Sequence, residues 1–370
     1  MNIYLAGGAV RDLLLGTPLT DRDYLVTGTT KQEFMKRFPT ATEVGRAFPV
    51  FLLDKQEFSF SRATTLNEEL MARDLTVNAL LLTEDGNLIC HSNALEDLHT
   101  RTLRPASPQS FTDDPLRVFR AARFWARYPD FIPHDELITS MQTVAQKGLL
   151  KTIAADRIGQ ETIKAMAAKS PGNFLRLLAK ANCLTPWFKE FEGGLSIPAG
   201  PAPYHDTNVI EHTCRVMDSL SGDSQAVWMG LCHDIGKTLT PTAALPSHHG
   251  HDKRGIPLAE NLAKRIRLSN TFMTMGAKAA QWHMIAAKYD ELRPGTRVDL
   301  LMDLHVSRTF NQLLSLVEVD QDKNYHSHAR NELRTILSAR LPEEAMNCGA
   351  ESGRILREIR AQKLTDRIKK

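Results

Sequence analysis

The chain has 370 residues, 42% of them hydrophobic, so it can bury a large core in two or three domains. Its formal net charge is only +3, which excludes attraction to a polyanion by overall charge and leaves local basic patches, with residues 117–127 and 354–370 the candidates. Five cysteines, without a C-x-x-C pair, exclude a disulfide framework and point to reduced thiols in a cytoplasmic protein.

The opening MNIYLAGGAVRD lacks a basic stretch followed by a long apolar one, so no signal peptide is expected. No run reaches the roughly 18 apolar residues of a membrane span, so no membrane partner is expected. IYLAG, VRDLLLG, DYLVTG, FPVFLLD, EFSFSRA and NALLLTEDGNLI then alternate strand-like with helix-like patterns, which predicts a compact α/β head over residues 1–112. From Asp113 the apolar spacing turns to three and four, in DPLRVFRAARFWARY, ADRIGQETIKAMAAK and PGNFLRLLAKANCL, and predicts a helical neck over 113–192. The Gly/Pro-rich stretch 193–206 is the best interior boundary. Beyond it lie a histidine-bearing helical region over 205–323 and a basic helical tail over 324–370. There is no internal repeat and no low-complexity tract, and nothing in the sequence fixes an oligomeric state.

The head carries a candidate site. In Gly7-Gly8-Ala9-Val10-Arg11-Asp12, two glycines between a strand and a helix let the backbone approach a phosphate. Asp21-Arg22-Asp23 opens the next strand-like run, where residues two apart share a side, so both carboxylates project together. Such a pair repels unless a cation sits between, and hard oxygen ligands suit Mg²⁺. Nucleotidyl transfer needs that metal to activate a 3′-hydroxyl and to neutralise the leaving pyrophosphate. Glu57, on another alternating run, could complete the carboxylate set. Singly, a Gly-Gly is a turn and a D-x-D a solvated strand end; the order and spacing of both together are specific.

The string GGAVRD…DRDYLVTG resembles the signature of the DNA-polymerase-β-type nucleotidyltransferases, in the class II branch that includes bacterial CCA-adding enzymes and poly(A) polymerases. VGRAFPVF, ARDLTVNAL and DDPLRVFRAARF are similar to further blocks of that family, in its order. The resemblance implies an α/β nucleotidyltransferase head, DNA polymerase β-like, followed by an all-α neck and an HD-type helical body. It implies tRNA, CTP and ATP as partners, Asp21 and Asp23 as metal ligands, and Gly8 and Arg11 as contacts to the nucleotide triphosphate. Arg73 and Asp74 match the end of the family's R-R-D block, where the arginine faces the nucleotide.

Asp114 and Arg117 are spaced by one helical turn, and Arg120 and Arg123 continue the series. Cytosine and adenine each present an amino donor beside a ring-nitrogen acceptor, whereas uracil and guanine present the reverse. A carboxylate only accepts and a guanidinium only donates, so an Asp–Arg pair suits C and A. The family's protein-template pair falls on these two positions. Without the head motifs, the same helix reads as an RNA-backbone contact or an internal ion pair.

Three departures from the family stand out. Only residues 63–72 separate the Arg62-like position from the R-R-D block, where the family carries a long flexible loop. Ala72 replaces the first arginine of that block, and Cys90-His91-Ser92-Asn93-Ala94 replaces a D-P-x-x-G turn. In the family a shortened loop accompanies addition of C and C alone, so weak A addition is expected.

In the C-terminal half, His212 precedes Cys232-His233-Asp234-Ile235-Gly236-Lys237. An early His, a His-Asp pair and a later Asp could hold one divalent ion that activates water for phosphoester hydrolysis. The arrangement resembles an HD phosphohydrolase domain, as appended to some CCA-adding enzymes. His248 to His251 and His283 fall where that domain carries further histidines, and Asp320 is the candidate last ligand. The expected reaction is transfer of CMP, with or without AMP, to a tRNA 3′ end. The alternatives are a CC-adding enzyme, a poly(A) polymerase, a protein that is chiefly an HD phosphohydrolase, and a non-catalytic RNA-binding protein.

Overall fold

The computed structural model describes residues 1–19, 22–44, 50–61, 63–202 and 206–368, so Asp21 and Arg62 lie outside the described residues. Contacts gather into two units, Met1–Ile153 with Lys180–Cys183, and Ala154–Ala179 with Leu184–Lys370. The segment 113–192 contributes to both. No helix among the described residues is long and apolar enough to cross a membrane.

The first unit begins with a mixed sheet. Its strands are β1 (Asn2–Ala6), β2 (Asp23–Thr27), β3 (Thr42–Val44), β4 (Val50–Leu53), β5 (Gln56–Phe60), β6 (Leu80–Leu82) and β7 (Leu88–Cys90). They lie in the order β3-β4-β5-β2-β1-β6-β7, and all neighbours are antiparallel except β2 and β5. On one flank the helix Lys31–Arg37 buries Phe34 against Val26, Phe51 and Phe58, and the Phe34 and Phe60 rings meet edge to face at 5.4 Å. Thr30 and Glu33 form a reciprocal capping box that starts this helix. A second cluster joins Tyr4, Ala6 and Leu25 to Leu70, Ala79 and Leu81. Alternation along β1 and β2 thus divides side chains between the two clusters, Ile3, Tyr24 and Val26 facing the first and Tyr4, Ala6 and Leu25 the second.

The helix expected from Asp113 onward is interrupted. One helix ends at Asp113, Asp114 is extended with φ −131° and ψ 93°, and the next runs Arg117–Arg127. Pro115 is the cause, because its ring disfavours helical geometry at the residue before it.

The second unit is helical throughout. Helices His251–Arg265 and Asn270–Ala286 pack closely, because small residues face each other between them: a Cβ on Gly276 would lie 3.3 Å from the Ala259 Cβ. Further along, Arg297 on the helix Pro294–Ser307 pairs with buried Glu332 on the helix His326–Leu337 at 2.7 Å, and Tyr289 Oη donates to the same carboxylate at 2.6 Å. This buried charge has its remaining valence filled, the condition for tolerating it.

Gly236 is where the chain presses against the helix His251–Arg265: a Cβ there would stand 2.1 Å from the His251 carbonyl oxygen and 2.8 Å from the Gly255 nitrogen. Gly236→Ala should therefore cost about 1–3 kcal/mol and lower the melting temperature by several degrees. Gly353→Ala, where nothing lies within 4 Å, should leave it unchanged or slightly higher. Thermal melts of the two variants beside the parent check this.

Candidate functional site

In the head, the sheet and the Arg117–Arg127 helix enclose a cavity of about 380 Å³. Gly8, Arg11, Asp23, Arg73, Asp114, Arg117, Arg120 and Arg123 all line it. Gly7 at its edge has φ +62°, a left-handed backbone that favours glycine, and its N–H donates to Leu80 O at 2.8 Å. That turn aims Arg11 inward. The Arg11 guanidinium donates to Asp12 Oδ1 at 2.6 Å, to Tyr128 Oη at 2.8 Å and to Asn78 Oδ1, and lies 4.8 Å from the Tyr128 ring centroid.

Asp23 opens β2, and the parallel register sets Glu57 directly opposite on β5. Both are exposed and share a face of the sheet. Glu57 is beside Asp23 without lining the cavity, and Asp21 lies outside the described residues.

Asp114 is placed by Pro115 rather than by a helical face. Its Oδ1 accepts from Leu116 N at 3.2 Å and its carbonyl from Arg117 N at 3.0 Å, so it caps the turn from which Arg117 projects. Arg117 Nη1 donates to Arg73 O at 3.1 Å, and Arg73 itself pairs with Glu69 at 3.0 Å. Arg120 gives Nε and Nη2 to Asp74 Oδ2 at 3.0 and 2.7 Å. Burial alone would raise the Asp74 carboxyl, but the adjacent Arg120 guanidinium and the Asn78 amide outweigh it and hold the group well below the usual carboxylate range. Asp12, Asn78 and Tyr128 join the site without having been singled out from the sequence. Asn78 stood within the ARDLTVNAL block, which was the available signal.

Asp74→Asn should cost about 1–3 kcal/mol at neutral pH, toward the lower end because water screens the Arg120 side chain, which is 41% exposed. A depressed carboxyl stabilises the fold above its unfolded value of about 3.9 and loses that contribution as pH falls toward the folded value. Denaturant melts of parent and variant should therefore differ most at neutral pH and draw steadily together as the pH falls below about 4.

The second unit gathers histidines around Asp234. His212 Nε2 lies 3.2 Å from Asp234 Oδ2 and 3.1 Å from Asp320 Oδ1, and His233 Nε2 lies 3.1 Å from Asp234 Oδ2. On the other carboxylate oxygen, His251 Nε2 and His283 Nε2 stand 3.2 and 3.5 Å away. His233 and Asp234 are adjacent at the C-terminal end of the helix Ser224–Cys232, and His212 comes from the helix Val209–Ser219. Asp320, from the helix Phe310–Gln321, thus falls beside the other three ligands expected from the sequence.

The tautomers test whether these residues fit a metal. Carbonyl oxygens only accept, so the Nδ1 contacts of His233 to Gly230 O at 2.7 Å, His251 to His248 O at 2.7 Å and His283 to Ala279 O at 2.9 Å put each ring proton on Nδ1. Each Nε2 of the neutral ring then offers a lone pair inward. His251 and His283 Nε2 are 3.0 Å apart, and those of His233 and His212 are 3.3 Å apart. Lone pairs so close to one another and to carboxylates repel unless a proton or a cation stands among them. Asp320 Oδ1, in addition, is buried and has His212 Nε2, at 3.1 Å, as its nearest donor. The set fits a divalent ion, with imidazoles oriented from behind by carbonyls.

Burial opposes charge on His212, but hydrogen bonds to Asp234 and Asp320 outweigh it and push its pKa up to about 9. Lys237 Nζ, also buried, reaches Asp234 Oδ2 at 2.6 Å and Ala199 O at 2.7 Å. His251, His283 and Lys237 were not assigned as ligands or partners from the sequence. Of the HHGH run, only His251 turns inward to Asp234; His248 bonds Thr240 and Pro198 instead.

Comparison with known proteins fits this division of labour. Residues 3–63 match the poly A polymerase head domain, 130–194 the probable RNA and SrmB-binding site of polymerase A, and 208–304 the HD domain. The chain is 35% identical over 326 residues to the multifunctional CCA protein of Hahella chejuensis (strain KCTC 2396), covering 81% of this chain and 76% of that one. Among solved structures it is similar to the Thermotoga maritima CCA-adding enzyme complexed with tRNA, with a TM-score of 0.66 at 19% identity over 98% of this chain and 87% of that one. It is also similar to the Bacillus stearothermophilus CCA-adding enzyme in complex with CTP, with a TM-score of 0.63 at 21% identity over 90% of this chain and 78% of that one. Those two likenesses are of fold. On the strength of the Hahella relative, the chain belongs to the multifunctional CCA proteins, CCA-adding nucleotidyltransferases with a poly A polymerase-type head and an HD domain.

Proposed function

We propose that the head transfers CMP and then AMP, from CTP and ATP, to the 3′-hydroxyl of a tRNA without a nucleic-acid template, releasing pyrophosphate. The observation that carries this is the convergence of Asp23, Arg11, Arg73 and the Asp114–Arg117 pair on one cavity. Asp23, with Asp21 and with Glu57 beside it, would hold Mg²⁺, which when bound activates the attacking hydroxyl and neutralises the leaving group. Arg11 and the backbone at Gly8 bind the triphosphate, and Arg73 faces the nucleotide. Asp114 accepts from the exocyclic amine of C or A while Arg117 donates to the neighbouring ring nitrogen, and U or G would leave both groups mismatched. Arg120 and Arg123 flank that pair. The name carried by the Hahella relative favours full CCA addition over a CC-only or poly(A) product.

In this reading residues 1–112 are the catalytic head, 113–192 the nucleotide-selecting neck, 205–323 the HD domain and 324–370 the basic tail. The matches at 3–63 and 208–304 fall within the first and third of these. His212, His233, Asp234 and Asp320 would hold a divalent metal that would supply an activated water, and Asp234, His251 and His283 would offer a second set of ligands. All five cysteines are free, as suits a cytoplasmic enzyme.

Transcripts of one tRNA ending before the first C, the second C or the A, each given a single NTP, test the head. C should extend the first two and A the third, with A within about tenfold of the C rate. Asp23→Ala should fall below about one hundredth of the parent. A rate for A slower by more than about a hundredfold would identify a CC-adding enzyme, and long A tails a poly(A) polymerase.

For the second unit, 2′,3′-cyclic or 2′-phosphate nucleotides should be hydrolysed with at least one of Mg²⁺, Mn²⁺, Co²⁺ or Ni²⁺. His233→Ala should abolish that hydrolysis and spare nucleotide addition. No hydrolysis with any of the four ions would leave the HD domain a scaffold.

A further inference from the structure

The arginines of the head cavity fall into two groups. Arg11 stands with Asp12 and Tyr128, whereas Arg117 and Arg120 stand against the backbone and carboxylate of Arg73 and Asp74. Asn78 joins the groups. Its Oδ1 accepts from Arg11 Nη1, its Nδ2 donates to Asp74 Oδ1 at 3.0 Å, and the other oxygen of Asp74 receives Arg120.

The chemistry of the two neighbours leaves no choice of amide orientation, since a guanidinium only donates and a carboxylate only accepts. It also restricts the residue type. The position needs a donor and an acceptor, one on each side. Aspartate would set a second carboxylate against Asp74, leucine would offer neither group, and one hydroxyl cannot span both. The backbone beneath is fixed as well. Asn78 closes the short helical turn Thr76–Asn78, with its N–H bonded to Leu75 O at 3.0 Å. Two residues later Leu80 O accepts from Gly7 N, which caps the helix Gly8–Leu14 carrying Arg11.

We propose that Asn78 is a positioning residue that sets, through Asp74, where Arg120, the neighbour of the base-reading Arg117, stands relative to the phosphate-facing Arg11. A nucleotide anchored by its phosphates at Arg11 then meets Arg117 and Arg120 in one register, and preference for C and A over U and G depends on that register. Without the amide, Asp74 Oδ1 keeps only its bond from Leu75 N at 2.9 Å and the carboxylate is free to turn, taking Arg120 with it. This rests on the reading of the head as a CTP- and ATP-dependent pocket.

The test uses the full chain and a tRNA lacking its CCA end, with kcat and KM measured for CTP and UTP separately, beside thermal melts. Asn78→Leu, close in shape but without hydrogen-bonding groups, should lower the CTP-to-UTP ratio of kcat/KM by at least about tenfold. The KM for CTP should rise with it. Asn78→Gln, which keeps both groups on a longer arm, should recover part of the ratio. A folded Asn78→Leu with the parent ratio, whatever its absolute rate, overturns the proposal, because a merely structural residue slows all nucleotides alike. If Asn78→Leu does not fold, Asn78→Ser carries the same comparison: a lowered ratio supports the role and an unchanged one overturns it. A parent enzyme that adds no C to tRNA sinks the functional reading itself and this proposal with it, a result distinct from an unchanged ratio.

Discussion

Like charge crowded into a small space is the constraint on which the head depends. Arg11, Arg73, Arg117, Arg120, Arg123 and Arg127 all line a cavity of about 380 Å³, and guanidinium groups stay charged at any ordinary pH. They can be held there only if each is tied down. Asp12, Glu69 and Asp74 take Arg11, Arg73 and Arg120, the Arg73 carbonyl takes Arg117, and the rings of Phe124 and Tyr128 take the face of Arg11. Against these six arginines the described lining sets four carboxylates, Asp12, Asp23, Asp74 and Asp114, which leaves a surplus of positive charge. A triphosphate answers that surplus, and a protein of net charge +3 needs no more general attraction than this.

In the second unit the same reasoning runs with the sign reversed. Around Asp234 the groups in excess are lone pairs: inward imidazole nitrogens and two carboxylates, with Asp320 Oδ1 buried beside His212. The proton that could relieve one contact sits on the far side of each ring, fixed there by a main-chain carbonyl on His233, His251 and His283. Lys237 supplies one positive charge to Asp234, and a divalent cation would supply what it cannot. Each unit is therefore built around an imbalance, and in each the missing charge names the ligand class.

How much of this was legible in the sequence follows from which contacts are local. Strand–helix alternation, the Gly7-Gly8 turn and the helical second half depend on near neighbours and were readable. The place of Glu57 opposite Asp23 was not, because it follows from β5 pairing parallel with β2 across two intervening strands, an order set by tertiary packing. Asp114 was expected on a helical face, but the backbone preference imposed by Pro115 overrode the three-residue spacing. His251 and His283 could be seen as histidines near the right region. Their convergence on one carboxylate oxygen needed the close pairing of two helices. Asn78 and Tyr128 meet Arg11 across 67 and 117 residues, a separation at which pattern carries no information about contact.

The short connection that precedes Asp74 shows what locality can decide. Thr65 and Glu68 cap the helix Leu66–Met71 reciprocally, and Thr64 N also donates to Glu68 at 2.9 Å. Ser61 Oγ bonds Glu69 at 3.0 Å, and the other oxygen of Glu69 holds Arg73. In its described residues the connection is therefore a capped turn of helix whose side chains brace Arg73. A backbone fixed in this way cannot reshape the pocket between cytosine and adenine by swinging, since several hydrogen bonds would break together. Exchange of partner by one arginine breaks fewer bonds at a time, since Arg73 meets Glu69 through a single bond at 3.0 Å. With more guanidinium groups than carboxylates around the cavity, such exchanges are available without moving the chain, and the physical burden of accepting a larger base falls on side chains rather than on a loop.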